Sequence, residues 1–453
     1  MPYHSAIVGS VNRQHYLKVA GRIFCLLVCV ALATTGCTDS AASGSSGRAA
    51  RTNTSTAPRL GSDPVTTPSS DASSDPIVGS DSAVSSPAIE PAPQSPSTSR
   101  VDEVLGALTL QQKVGQLLVP VVFGTDAHDV SAAAKQANMR AFGVATPSEV
   151  VTKFGLGGVI YLEHNIEAAP QVEKLSAGLQ TSSNAANGVG LLIAVDQEGG
   201  RVNRLTDGVT VFPPASILSG NSAAVHEAGY LTGRQVKLQG VNVVLAPVAD
   251  LNEPGSEGAI GNRSYGNDPT VVSEMVVAAV DGLQEAGVAA AVKHWPGHGP
   301  TGVDSHDSLP SLTITQAEWE SRDMLPFVAA IDRDVSIVLV GHLSMPSIDP
   351  SGAPATSSPV LIQQLLREGL GFDGVVITDA LNMGAVGDSD PRTVAVAAVS
   401  SGADIVLMPP DLPLAHEALL SAVETGELPI DRLDDAVRRV LQLKADLGLL
   451  PPL

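Results

Sequence analysis

Residues 293 to 306, Lys-His-Trp-Pro-Gly-His-Gly-Pro-Thr-Gly-Val-Asp-Ser-His, gather amino, imidazole and carboxylate side chains onto a turn-rich loop behind a short apolar run. The Pro-Gly and Gly-Pro pairs forbid a continuing strand or helix, so Lys293 and His294 are expected at the end of a strand. Asp304 and His306 are two residues apart and can meet across a tight turn. There the carboxylate would orient the imidazole and favour its protonated form, which makes a general acid/base. A loop held together by satisfied polar side chains explains any single histidine; it explains a cluster of this kind less well.

A second chemical position is Asp379, directly after the apolar run Gly374-Val375-Val376-Ile377-Thr378. Alone, an aspartate at a strand end reads equally as a cap for the next helix. Beside an acid/base it becomes a candidate nucleophile. A carboxylate attacking an acetal carbon while a second group protonates the leaving oxygen is the chemistry of retaining glycoside cleavage. Lys293, Arg204 and Arg263 would supply donors to a polyhydroxylated or anionic ligand, and Asp196 could accept two hydroxyls, although ordinary salt bridges also account for the arginines.

These positions need a scaffold that delivers strand ends to one place. Residues 101–453 exceed the usual domain size, but alternating strand and helix can fill that length as one unit. Apolar runs recur at Leu117–Phe123, Gly158–Leu162, Leu191–Val195, Val241–Ala246, Ala289–Val292, Ser336–Val340, Val375–Ile377 and Ile405–Met408. Helix-forming stretches follow at Ala168–Ser182, Ser222–Gln239, Pro269–Glu285, Thr315–Ile331, Ser358–Leu366, Thr393–Ser401, Asp411–Thr425 and Ile430–Leu447. The pattern predicts a single α/β domain, a TIM-like (β/α)8 barrel. An open doubly wound sheet would instead confine ligands to one crevice. In a barrel the candidate residues all follow strands and therefore share the C-terminal rim.

The N-terminal segment carries Arg13, Lys18 and Arg22 with no acid, then an apolar run from Ile23 to Ala33 and Thr34-Thr35-Gly36-Cys37. This reads as a signal peptide over residues 1–36 with a lipobox-like end, leaving Cys37 for lipidation and the protein anchored outside the cytoplasmic membrane; ordinary secretion is the alternative. The run is shorter than the ~20 apolar residues of a membrane span. Cys25 and Cys29 fall within the signal, so the folded part has no cysteine. Residues 37–100 are rich in Ser, Thr, Pro, Ala, Gly and Asp and read as a disordered tether, open to O-glycosylation, reaching roughly 5–6 Å × √n. Losing the signal makes the body more acidic than the −21 of the whole chain, which disfavours nucleic acid as a partner.

At four stretches the chain resembles glycoside hydrolase family 3, and within it the bacterial β-N-acetylglucosaminidases: Asp196-Gln197-Glu198-Gly199-Gly200-Arg201-Val202, Asn262-Arg263-Ser264-Tyr265-Gly266, Lys293 to His306, and Ile377-Thr378-Asp379. Relatives share Lys-His-Phe-Pro-Gly-His-Gly followed by Asp-Ser-His; here Trp295 replaces the Phe, and Tyr265 stands where Phe is also common. The resemblance covers nearly all of residues 101–453. It implies Asp379 as nucleophile, His306 as acid/base and Asp304 as its partner, with Asp196, Arg204, Arg263, Lys293 and His294 binding the terminal sugar. It implies a β-N-acetylhexosaminidase of the single-domain type, ending near Leu449, with no cofactor or metal. A monomer is expected, acting on terminal β-linked N-acetylhexosamine of cell-wall fragments or muropeptides.

Alternatives remain at this stage. One is a β-glucosidase, or a phosphorylase in which phosphate replaces water. Another is zinc-dependent hydrolysis through His294, His298, Asp304 and His306, although their Pro-Gly spacing is not that of typical zinc sites. A third is a sugar-binding lipoprotein without catalysis. His342, after the sixth strand, is read as structural.

Overall fold

The computed structural model describes residues 96–252, 258–299, 301, 304–386 and 389–451. The expected signal, Cys37 and the tether lie outside these residues, except for the tether's last five. Those begin a helix, Pro96–Ala107, so regular structure starts slightly ahead of the boundary expected at residue 101.

Each of the eight apolar runs holds a strand. In chain order the strands are β1 Leu118–Val119, β2 Gly158–Tyr161, β3 Leu192–Val195, β4 Gln197–Gly199, β5 Val202–Asn203, β6 Val243–Val244, β7 Ala289–Trp295, β8 Ile337–Val340, β9 Val375–Thr378 and β10 Val406–Leu407. Strands β2, β3, β6, β7, β8 and β9 form a six-stranded parallel sheet, and β1 pairs in parallel with β10. A bridge between Ile377 and Ile405 links the end of β9 to the start of the β10 segment. The Ile160 N–H donates to the Pro120 carbonyl at 3.1 Å, linking β2 to the exit of β1. The architecture is α/β with a curled, TIM-like parallel sheet.

Strand alternation explains how the core divides. Val119, Ile160, Leu192, Ala194, Val243, Leu245, Ala289, Ala291, Ile337, Leu339, Val375, Ile377, Ile405 and Leu407 pack into one inner cluster. Their neighbours Val159, Tyr161, Ile193, Val195, Val244, Ala290, Val292, Val338, Val340, Val376 and Val406 face the helices in a second, outer cluster. Both faces of the sheet are therefore dry, which is why the strands read as continuous apolar runs.

The helices Pro269–Glu285, Ser222–Leu238, Leu412–Thr425 and Ile430–Asp446 follow the predicted spans closely. Asp268 caps the first of these, accepting from the Thr270 and Val271 N–H groups. The expected helix Thr315–Ile331 is instead two, Gln316–Ser321 and Leu325–Ile331. Pro326 lacks the N–H that would bond the Arg322 carbonyl, so the first helix stops and the second starts with proline in its first turn. The helices Leu110–Gln116, Ala132–Phe142 and Pro147–Phe154 were not anticipated, nor was the antiparallel β4–β5 hairpin. Its turn uses Gly199 and Gly200 at φ of +93° and +57°, conformations that suit glycine.

Candidate active site

Strand β7 runs further than the sequence suggested. Pairing with β8 continues through Lys293 and Trp295, opposite Leu339 and Val340, with a register shift between them. His294 is the extra residue of a bulge. A regular strand would send Lys293 and His294 to opposite faces; the bulge lets both line one cavity, while Trp295 packs outward against Trp319 and Phe327.

Lys293 is buried at the centre of an ionic network. Its Nζ donates to Asp196 at 2.8 Å and lies 2.6 Å from a Glu198 carboxylate oxygen. Glu198, only 4% exposed, also accepts two hydrogen bonds from the Arg263 guanidinium, at 2.7 and 2.8 Å. Burial alone would raise the Glu198 carboxyl, but the charges of Lys293 and then Arg263 outweigh it and hold it below the usual carboxylate range. Burial likewise disfavours charge on Lys293, and Asp196 and Glu198 reverse that, raising its pKa above the ordinary lysine value. Arg204, on the loop after β5, pairs with the exposed Glu163 at 2.7 Å and turns a flank of its side chain to the cavity.

A second network begins at Asp250, on the segment after β6. Its Oδ2 accepts from His294 Nδ1 at 2.6 Å, and its Oδ1 accepts the backbone N–H groups of His294 at 3.2 Å and His298 at 2.7 Å. With Nδ1 donating, His294 turns Nε2 towards Arg263, 3.5 Å away. Burial pushes Asp250 up, but His294 more than compensates and leaves it an anion. His298 also lines the cavity, with Nδ1 on the Thr301 hydroxyl at 2.8 Å, and burial keeps its imidazole on the neutral side of its usual value.

Asp379 follows β9 at the floor. Its backbone N–H donates to Val340, and its Oδ1 accepts from the Ala380 N–H at 2.9 Å. Burial raises this carboxyl, but His294 and His342, the Ala380 N–H and Lys293 together lower it, so it is ionised at neutral pH. His342 is fully buried. Its Nε2 donates to the Ala380 carbonyl and its Nδ1 accepts from the Thr356 hydroxyl, both at 2.9 Å, so it holds the peptide beside Asp379 and does not reach the cavity. Across the cavity, Asp304 accepts from His306 Nδ1 at 2.8 Å and from its backbone N–H at 3.0 Å. These bonds hold the Asp304 carboxyl below its ordinary value against the opposing effect of burial.

The cavity has a volume of about 290 Å³, near the lower end of small-molecule sites, roughly 300–1,000 Å³. Asp196, Arg204, Arg263, Lys293, His294, His306 and Asp379 all line it, and Asp304 joins through His306. A larger cavity, about 460 Å³, lies at the opposite strand ends, beside Ser336 and Gly374. Its Arg438 and Arg439 already pair with Asp102 and Asp404, and none of the candidate residues reaches it. Among the described residues no group of three or more His, Cys, Asp or Glu side chains is arranged to hold a metal ion, and His294 and His306 each use Nδ1 on a carboxylate instead.

Glu198 stands in one of the sequence motifs without a role there, and Asp250 lies outside all four. Glu198 carried a usable signal, since it stands two residues from Asp196 in an extended segment and so shares its side. Asp250 carried none beyond its place after a strand.

The site thus gathers acids, bases and imidazoles around one pocket at the C-terminal strand ends of a TIM-like α/β fold. Residues 109–443 match the glycosyl hydrolase family 3 N-terminal domain, and the chain belongs to that family. It is 32% identical over 335 residues to Beta-hexosaminidase A of Pseudoalteromonas piscicida, aligning 66% of this chain with 55% of that protein. It is 36% identical over 303 residues to the Beta-hexosaminidase of Nitrosomonas eutropha, covering 64% and 85% of the two chains. The structure of a glycoside hydrolase family 3 β-N-acetylglucosaminidase from Paenibacillus sp. str. FPU-7 superposes with a TM-score of 0.70 at 40% identity, covering 76% of this chain and 63% of that one. The chain thus spans about half the length of the Pseudoalteromonas relative and under two thirds of the Paenibacillus one.

Proposed function

We propose that this protein is a retaining exo-β-N-acetylhexosaminidase that removes terminal β-linked N-acetylhexosamine. The observation that carries the reading is that seven of the eight expected site residues line one cavity, with the ionised Asp379 at its floor and His306 at its rim. In the first step an Asp379 oxygen attacks the anomeric carbon, the glycosidic C–O bond breaks, and His306 gives its proton to the departing oxygen. In the second, His306 takes a proton from water as that water attacks the anomeric carbon and releases Asp379. Lys293, Arg263, Asp196, Arg204 and His294 present donors and acceptors for the sugar hydroxyls.

The interstrand links from β9 to β10, from β10 to β1 and from β1 to β2 favour a closed (β/α)8 barrel. The basic and apolar N-terminal segment ending at Cys37 supports export and lipid anchoring at the outer face of the cytoplasmic membrane, with residues 37–100 as the tether and a monomeric catalytic body. Cell-wall fragments are the β-N-acetylhexosaminides available there, which makes them the favoured natural substrate.

The test is fluorophore release by the purified protein from a β-N-acetylglucosaminide and the matching β-glucoside, beside Asp379→Asn. Release from the N-acetyl sugar, lost by about 10³-fold or more in the variant, is expected. Equal or better release from the glucoside would overturn the specificity, and turnover that requires phosphate would make the protein a phosphorylase. Mass spectrometry after a mechanism-based fluorosugar should find the label on Asp379; a label elsewhere would remove it as nucleophile.

A further inference from the structure

We infer that the turn Gly384–Val386 is the seat of the Asp304/His306 pair, and that Gly384 is a positioning residue for proton transfer. The inference rests on the proposed role of His306. The first N–H groups of a helical turn have no acceptor within it. Here the Gly384 N–H donates to the His306 carbonyl and the Ala385 N–H to the Ser305 carbonyl, both at 3.0 Å. The turn lies five residues beyond Asp379, whose segment is itself fixed to two strands: Asp379 N–H donates to Val340 at 2.8 Å and Leu381 N–H to Leu407 at 3.0 Å. Nucleophile and acid/base are thereby joined by a short, backbone-bonded path.

Side-chain packing does not place His306. Its side chain is 68% exposed, and its hydrogen bond is to Asp304, which belongs to the same exposed turn. The backbone clamp therefore has to set where the imidazole stands relative to the floor. The residue at 384 is constrained by space, since its φ is not positive and other residues could adopt its conformation. A Cβ there would lie 2.6 Å from the His306 carbonyl oxygen and 2.8 Å from that of Asp307. Both are backbone atoms, so a side chain at 384 can be accommodated only by moving the segment that carries the pair.

The experiment compares kcat/KM of Gly384→Ala on two β-N-acetylglucosaminides. One carries a strongly acidic phenol, which departs without a proton; the other carries a methoxy or sugar leaving group, which needs one. Gly384→Ala should lose about 10²-fold on the second and under about 5-fold on the first, because proton delivery alone is worth roughly 10²–10⁴. Its Asp379 should still be labelled by a fluorosugar with an activated leaving group at close to the wild-type rate. His306→Ala is the reference. If that variant loses equally on both substrates, the reading of His306 itself fails. If it discriminates and Gly384→Ala does not, the seat is overturned while the reading stands. Should Gly384→Ala not fold, Ala385→Pro removes the donor to Ser305 and sets a ring carbon against that carbonyl, and the same split is expected.

Discussion

Two Asp–His pairs face the same pocket with nearly the same bond, yet they are built oppositely. Asp250 and His294 meet at 2.6 Å with the carboxylate wholly buried and the imidazole 9% exposed; Asp304 and His306 meet at 2.8 Å with exposures of 39% and 68%. Asp250 also gathers two backbone N–H groups and so organises the end of β7. The Asp304 carboxylate accepts only from His306, through its backbone N–H and its imidazole, among the hydrogen bonds of the described residues. A buried pair fixed on every side suits a group that must hold a sugar in place. An exposed pair on a turn suits a group that must exchange protons with a leaving group and then with water. The bond length between carboxylate and imidazole does not distinguish these roles; their surroundings do.

The largest expected effect tests that division directly. His306→Ala should lower kcat/KM about 10²–10⁴-fold on a glycoside with a poor leaving group and far less on an activated one. His294→Ala should lower both alike, because on the proposed reading it removes a contact to the sugar. If the two variants show the same leaving-group dependence, the pairs do not differ in role.

Stability should separate them next. Removing the buried partner in Asp250→Ala should cost about 3–5 kcal/mol in denaturant unfolding, whereas Asp304→Ala should cost under about 1 kcal/mol. Equal costs would mean that the exposed pair is a structural element after all.

Glu198 extends the comparison to the ionic network. Glu198→Gln leaves Lys293 and Arg263 side by side without the anion between them, and KM should rise about tenfold or more as both are displaced. A change confined to kcat would place Glu198 in the chemistry instead.

The smallest effect is the acid dependence of stability. The folded-state pKa of Asp250 lies below its unfolded value, so its stabilising contribution is complete above the ordinary carboxylate pKa of about 3.9 and is lost as pH falls through the lower folded value. Denaturant unfolding below about pH 4 should therefore show a shallower pH dependence in Asp250→Asn than in the wild type. Asp304→Asn should change that slope less, since its pair is solvated; a larger change there would reverse the comparison.

The two pairs also differ in how they could be found. Asp304 and His306 are two residues apart, and a tight turn in which the Asp304 carboxylate accepts the His306 N–H brings them together, so their contact was legible in the chain. The eight strands were legible as well, because a sheet dry on both faces leaves uninterrupted apolar runs. The break at Pro326 was present in the sequence but masked by the helix formers around it. The β4–β5 hairpin was too short to show a period of two.

Asp250 and His294 are 44 residues apart, and Glu198 is 65 from Arg263. Composition and local periodicity fix the side chains available and the secondary structure that carries them, which is why strand-end positions such as Asp379 and Lys293 could be assigned to one rim. Which carboxylate meets which cation depends on the parallel register of neighbouring strands and on the bulge that turns His294 to the side of Lys293. Those are settled by packing between segments distant in the chain, and a residue-by-residue reading contains no term for them.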